Sequence, residues 1–267
     1  MTRRAFALLL VLPVAVAGWW LDDDDIAGTG EVRGDDRGRA LTVLTYNVCF
    51  ERPDPATAEA IAALDADLVF LQETNAAHAA LLEERLAERY PVRLFHEHEP
   101  DGGMAVLSRY PVLDEEVRPS PARAFPAWCL RLETPDGPID VLSVHLHPPL
   151  HDDSLVAGYF LTGDDRHREI VAHLGCFDRP PDLAVGDFNE EEGDAVSHLE
   201  ELGMRQAQLA HPPAERTWRW PTPYGELSGR PDHVFVGPDW SVDRVAVPLV
   251  GASDHWPVFA ALRRSPR

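Results

Sequence analysis

Four short apolar runs each end in a residue suited to metal or proton chemistry, and no other feature restricts the fold as much. The runs are Leu41 to Tyr46 before Asn47, Asp67 to Gln72 before Glu73, Ile139 to Val144 before His145, and Asp182 to Gly186 before Asp187. Short runs rich in Val, Ile and Leu read as buried strands. A polar residue where such a strand leaves the core is costly unless it is paired or does chemistry. Repetition of the pattern predicts strand ends that converge on one site, able to hold a cation and an anionic substrate.

Side chains on a strand alternate between its faces. Ser143, His145 and His147 therefore share one face, while Leu142, Val144 and Leu146 turn to the core. Asn47 shares a face with Thr45, opposite Leu44 and Tyr46. Asp187 and Asn189 are two apart, so an extended chain would point them the same way, and Gly186 would let the backbone pass close to a ligand. Near the C-terminus, Arg230-Pro-Asp232-His233 puts a carboxylate at the head of a strand, and Ser253-Asp254-His255 puts an Asp-His pair before another.

Helices lie between these runs. Asp54 as N-cap with Pro55 at N1 opens a helix reaching Leu64, and Thr74 or Asn75 caps a second reaching Arg89. Gly103–Ser108, Trp128–Glu133, Asp232–Val236 and Trp256–Leu262 read as strands, and Asp164–Leu174 and Asp194–Leu202 as helices. Glu190, Glu191 and Glu192 read as a solvated helix start. Early and late β-α-β units around a strand-rich middle predict an α/β fold of two sheets face to face, with helices outside. No second linker or internal repeat interrupts residues 41–264, which are expected to form one catalytic domain.

The net charge of −21 in 267 residues is the unusual bulk property, and every one of the 24 basic residues is arginine. Genome composition accounts for this most simply; solubility in salt or exposure outside a cell is the functional account. The acidity argues against a broad basic patch for non-specific nucleic-acid binding. It leaves a nuclease open, because a bound cation supplies positive charge locally. Arg3-Arg4, the apolar Ala5 to Ala17 and the small-residue pattern Ala15-Val-Ala17 read as an export signal, with an N-terminal anchor over residues 1–21 as the alternative. Thr2-Arg-Arg-Ala-Phe6 also resembles a twin-arginine signal. Residues 5–21 would otherwise serve as a membrane tether, with Trp19-Trp20 at the interface. Residues 22–40 read as a flexible linker. The expected location is secreted or periplasmic, or membrane-anchored. Cys49, Cys129 and Cys176 fit no zinc spacing; buried free thiols are the expectation, with one disulfide left open in an oxidising compartment.

In order, Tyr46-Asn47, Leu71-Gln-Glu73, His145-Leu146, Gly186-Asp-Phe-Asn189, Arg230-Pro-Asp232 and Ser253-Asp-His255 resemble the motifs of the endonuclease/exonuclease/phosphatase superfamily. Its members include pancreatic-type deoxyribonucleases, apurinic endonucleases, neutral sphingomyelinases and inositol polyphosphate 5-phosphatases. Gly103 to Arg109 resembles the family's mid-domain strand. The resemblance runs from Leu41 to Ala261. It implies a four-layer α/β/β/α sandwich with two face-to-face mixed sheets, and metal-dependent hydrolysis of phosphate esters. It also implies roles. Glu73 would be the principal metal carboxylate, with Asn47 beside it and Asp254 as a further one. Hard oxygen ligands suit Mg²⁺, with Mn²⁺ as the alternative. His255 would act on the phosphate or the attacking water, and Asp232 would hold its ring and favour the imidazolium. Asp187 would orient or deprotonate the water, while Asn189 and His145 would donate to phosphate oxygens as charge builds. Pro231 and His233 depart from the aliphatic residue and tyrosine of many relatives. Glu97 and Glu99 are candidates for the glutamate that pairs with the first histidine in some of them.

Singly, each of these residues has a plainer reading: Asn47 as a strand-end turn, Glu73 as an acid at a helix entry, His147 and His151 as surface residues of a polar loop reaching Asp165. Trp218 and Trp220 would pack or touch substrate. Jointly they predict an exported, nuclease-like phosphodiesterase. A sphingomyelinase-like or inositol-phosphate phosphatase-like hydrolase is the alternative, and a non-catalytic binding member of the fold is the third reading. The expected partner is a phosphate-ester substrate, nucleic acid or phospholipid/inositol phosphate. A monomer without an obligate protein partner is expected.

Overall fold

Leu41–Asn47 forms strand β1, and its side chains divide between two cores. Val43 points into one cluster while Leu44 and Tyr46 point into another. A strand covered on both faces needs apolar residues at successive positions, which is why these runs are continuous rather than alternating. The computed structural model describes residues 39–98, 102–149, 161–223 and 225–265. The expected export signal, most of the linker, Glu99 and His151 lie outside the described residues.

After β1 the chain forms α1 (Pro55–Leu64), β2 (Leu68–Thr74), α2 (Ala76–Leu86), β3 (Val92–His96) and β4 (Gly103–Ser108). Next come β5 (Val112–Arg118), β6 (Ala127–Leu132), β7 (Ile139–His145), α3 (Gly163–Leu174), β8 (Leu183–Asp187) and α4 (Asp194–Glu201). The last part holds β9 (Arg205–Gln206), β10 (Trp218–Thr222), β11 (Gly225–Gly229), β12 (Asp232–Val236), β13 (Trp240–Ala246) and β14 (Val258–Arg264). One six-stranded sheet runs β13-β14-β1-β2-β4-β3 and the other β5-β6-β7-β8-β12-β9, while β10 and β11 pair apart from both. Each large sheet is mixed: β1–β2 and β7–β8 are parallel, and the other pairs are antiparallel.

Packing follows residue parity. Val43, Leu68, Phe70 and Val106 of the first sheet meet Val141, Leu183, Val185 and Val234 of the second in a core between the sheets. On the far side of the first sheet, Leu44, Val69 and Leu71 pack against Ile61 of α1 and Leu82 and Leu86 of α2. Beyond the second, Leu142, Val144 and Phe235 pack against Ile170 of α3 and Val196 and Leu199 of α4. This is the expected four-layer α/β/β/α sandwich. Asp54 caps α1 through the Ala56 N–H at 2.8 Å, and Asn75 caps α2 through the N–H groups of Ala77 and His78.

Several local expectations change. The thiols of Cys129 and Cys176 are not free: they form a disulfide between β6 and the segment after α3. Their separation of 47 residues hides this from any local pattern. Cys49 is free, as expected, but only partly buried, just past β1 at φ 57°. Glu190 is buried, not solvated; it pairs with buried Arg166 at 2.8 Å and accepts from the N–H groups of Ala195 and Val196 at the start of α4. The last strand begins at Val258, not Trp256. Gly186, at φ 137°, faces the neighbouring strand and not a ligand: a Cβ there would lie 1.9 Å from the Val144 carbonyl oxygen.

Candidate active site

The parity that fills the space between the sheets delivers polar groups at one end of it. In β1, the face carrying Val43 continues to Thr45 and Asn47; in β7, Val141 continues to Ser143 and His145; in β8, Val185 continues to Asp187. Strand β12 runs antiparallel to β8, so its first residue, Asp232, lies opposite Asp187. His145 lies beside Asp187 in the β7–β8 register, and Asn47 beside Gln72 in β1–β2.

Asp187 is the centre. It is buried, and its Oδ2 accepts from Asn47 Nδ2 at 3.0 Å, a bond that joins the two sheets. The same oxygen lies 3.7 Å from His145 Nε2 and 3.8 Å from His255 Nε2. Its Oδ1 accepts the Asn189 N–H at 2.8 Å. Glu73 reaches the centre by breaking alternation. The β2–β4 register slips between Gln72 and Thr74, and Glu73 takes φ 61°. Such a bulge re-aims a side chain. The carboxylate then accepts from Asn47 Nδ2 at 2.9 Å and from the Phe50 N–H at 3.2 Å. Burial raises the Glu73 pKa, opposed by the Asn47 hydrogen bond and by His255, and reinforced by Asp187.

His255 is held from behind. Its Nδ1 lies 2.8 Å from Asp232 Oδ2, which also accepts from Thr217 Oγ1 at 2.6 Å. Burial alone would lower the His255 pKa, but Asp232 and then Asp187 outweigh it and push it up to about 10. The ring is therefore an imidazolium at neutral pH, with Nε2 facing Asp187. Ser253 Oγ donates to the Asn47 carbonyl at 2.7 Å and accepts the His255 N–H at 3.1 Å, tying this segment to the end of β1. Asp254 accepts from Trp218 Nε1 at 3.2 Å. The Cys49 thiol is pushed up to about 11 by burial, then by the charges of Asp254 and Glu73.

His145 differs from His255. Burial, only partly opposed by Asp187, lowers its pKa to about 4, so it is neutral. Its Nε2 is 4.0 Å from Glu73 Oε1, and the Phe125 ring stacks on it with centroids 3.7 Å apart and planes 6° apart.

Asp187, Asp232 and His255 offer ligand atoms within 4.8 Å of one another. Asp232 Oδ2 is already committed to Thr217 and His255, so this trio works better as a proton-handling pair facing a carboxylate. Glu73 and Asp254 carry hard carboxylate oxygens of the kind that Mg²⁺ or Mn²⁺ takes, whereas Asn47 turns its amide nitrogen to Glu73 and its Oδ1 accepts the Cys49 N–H at 3.1 Å.

The structure thus gathers Asn47, Glu73, His145, Asp187, Asp232, Asp254 and His255. Asn189 adjoins them but does not share a face with Asp187: at φ 53° its backbone turns, and its amide donates to the Leu146 carbonyl at 2.8 Å. Glu97 is exposed, and among the described residues His145 Nδ1 has no hydrogen-bond partner. Thr217 and Phe125 are not legible beforehand, and Ser253 is read only as part of its motif, without a role. Only Ser253 carries a local signal, a hydroxyl two residues before the N–H that it accepts.

The sequence model of the endonuclease/exonuclease/phosphatase family matches residues 44–255, from β1 to His255. Solved structures share the fold at low identity. A protein of that family from Beutenbergia cavernae is 23% identical, with 85% of this chain and 72% of that one covered and a TM-score of 0.65. D. rerio TDP2, in complex with a single-strand DNA product, is 18% identical over 84% of this chain and 99% of its own, with a TM-score of 0.66. A functionally unknown conserved protein from Enterococcus faecalis is 21% identical over 84% and 100%, with a TM-score of 0.66. No curated protein matches this chain.

Proposed function

This chain belongs to the endonuclease/exonuclease/phosphatase family, and on that premise we propose that it is a divalent-metal-dependent phosphoesterase that cleaves phosphodiesters by attack of water. The observation that carries the reading is the gap between Asp187 Oδ2 and His255 Nε2, 3.8 Å wide, with His255 charged through Asp232 behind it. An oxygen seated to one side of that pair, about 2.8 Å from each atom, would hydrogen-bond to both groups.

Asp187 orients the water and takes its proton as the water oxygen bonds to phosphorus; the ester P–O bond opposite breaks, and the departing alkoxide takes a proton from solvent. The His255 imidazolium donates to the phosphate and stabilises the charge that builds on it, while Asp232 keeps its ring in place. Neutral His145 donates through Nε2 to a second phosphoryl oxygen, and Asn189 borders the same opening. Asn47 holds Glu73 and Asp187 in fixed relation through one amide nitrogen. A divalent cation held by Glu73 and Asp254, with Asn47 beside them, would polarise the phosphate and neutralise its charge.

A nuclease-like substrate is supported by the DNA product in the TDP2 complex, a protein of the same fold. The acidity of the chain places the burden of phosphate attraction on the cation and the imidazolium. A lipid phosphodiester is the second reading. Trp220 and Leu227, paired across β10–β11 and each about half exposed, lie two residues along from Trp218, which bonds Asp254. Export is part of the proposal, and the Cys129–Cys176 disulfide supports it, since such bonds persist in oxidising compartments. Among the described residues no helix is long and apolar enough to cross a membrane.

The test is an assay with Mg²⁺ against plasmid DNA, RNA, sphingomyelin and inositol phosphates, with EDTA and Asp187→Ala controls. Turnover of one ester that disappears in both controls is expected. Turnover that survives chelation would remove the metal from the proposal.

A further inference from the structure

His145 is held on one side by a ring, not by a hydrogen bond. Its Nδ1 is buried with no partner among the described residues, and Phe125 stacks on the imidazole at 3.7 Å, almost parallel. A histidine fixed by an acceptor at Nδ1 has its orientation set by that bond. Here only packing can set it.

Phe125 is itself braced. It lies in the connection between β5 and β6, where Ser120 Oγ accepts the N–H groups of Ala122 and Ala124 and donates to Glu169 of α3. Glu169 is fully buried, and its other oxygen accepts the His147 N–H at 2.7 Å. Arg166, one turn earlier on α3, donates to the His147 carbonyl at 3.3 Å. One helix therefore grips the chain on both sides of the stack: the segment carrying Phe125 and the residues just after His145. The Cys129–Cys176 disulfide ties β6 to the end of the same helix.

We propose that Phe125 is a positioning residue: braced through Ser120 and Glu169, its ring holds the His145 imidazole so that Nε2 faces the reacting phosphate. In this role Phe125 acts through His145, the ring on which it stacks. The inference rests on the proposed hydrolysis, in which His145 donates to a phosphoryl oxygen.

A double-mutant cycle separates this role from general packing. Phe125→Leu should lower kcat about tenfold or more with little change in KM, since small misplacements of a catalytic group are expensive in rate. Phe125→Tyr, which keeps the stack, should stay close to wild type. In a His145→Ala background, Phe125→Leu should produce no further loss. The His145 ring protons, identified by their absence in His145→Ala, should be displaced by the ring current of Phe125 and should relax in Phe125→Leu. If the leucine variant fails to fold, Phe125→Met takes its place. Equal losses in both backgrounds, or unmoved His145 resonances in Phe125→Leu, would overturn the inference and leave the hydrolysis proposal standing. Full activity of His145→Ala would overturn both.

Discussion

His255 is charged because of where Asp232 sits, and that dependence can be measured. The carboxylate 2.8 Å from Nδ1 overcomes a burial that would otherwise favour the neutral ring. Asp232→Asn keeps the size of the side chain but removes the charge. Its His255 pKa should fall from about 10, so the alkaline limb of the kcat profile should move to lower pH. Activity should fall about 10²- to 10⁴-fold, as for loss of a positioned proton donor. An unmoved alkaline limb would assign it to another group. Gly186 allows a second prediction. A Cβ there meets the Val144 carbonyl at 1.9 Å, and φ is 137°. Gly186→Ala should destabilise the protein by about 3 kcal/mol or more, read from the denaturation midpoint. These residues also mark where the sequence is legible. Asp187, Asp232 and His255 stand at strand ends where alternation and motif order agree. Asn189 does not follow, because alternation presumes an extended chain and its backbone turns at φ 53°. Glu73 reaches the site only through a bulge, which alternation does not anticipate.

Helix α3 is the element on which the second sheet's share of the site depends. Arg166 and Glu190 form a buried pair, each 2% exposed, between α3 and the chain just after Asp187. Glu190→Ala would strand the Arg166 charge and uncap α4, and should cost about 3–5 kcal/mol. A variant that unfolds at the wild-type denaturant concentration would show that the pair is dispensable. Reduction of Cys129–Cys176 frees a loop of 47 residues and should cost about 4 kcal/mol by chain entropy. Unchanged melting in dithiothreitol, with the bond open, would contradict this. Neither feature is visible in local sequence. Glu190 to Glu192 read as a polar run, and the partner that buries the first of them lies 24 residues earlier. The helices and strands themselves are legible, because caps such as Asp54 and Asn75 and unbroken apolar runs are local signals.

Across the whole molecule, buried histidines set the response to acid. His173 and His233 are fully buried and neutral, with pKa values lowered by burial to about 4 and about 3. A depressed folded pKa means that the unfolded chain binds more protons below the ordinary value of about 6.5. Stability from these groups is complete above that pH and is lost as pH falls through about 4. Melting temperature should drop steadily over that window; a flat profile would mean that both rings are protonated in the fold. The architecture was readable at this scale because each continuous apolar run demands cover on both faces, and only layered sheets with outer helices supply it. The substrate was not, because it depends on surfaces around the site rather than on the strand ends that build it.

The central claim is that the strand ends form one hydrolytic site around Asp187. The most direct measurement is kcat of Asp187→Asn beside wild type, with Mg²⁺, on whichever phosphodiester the wild type cleaves. The substitution keeps the shape of the side chain and removes its charge. A fall of about 10²-fold or more with an unchanged melting temperature is expected. Wild-type turnover in that variant would contradict the account.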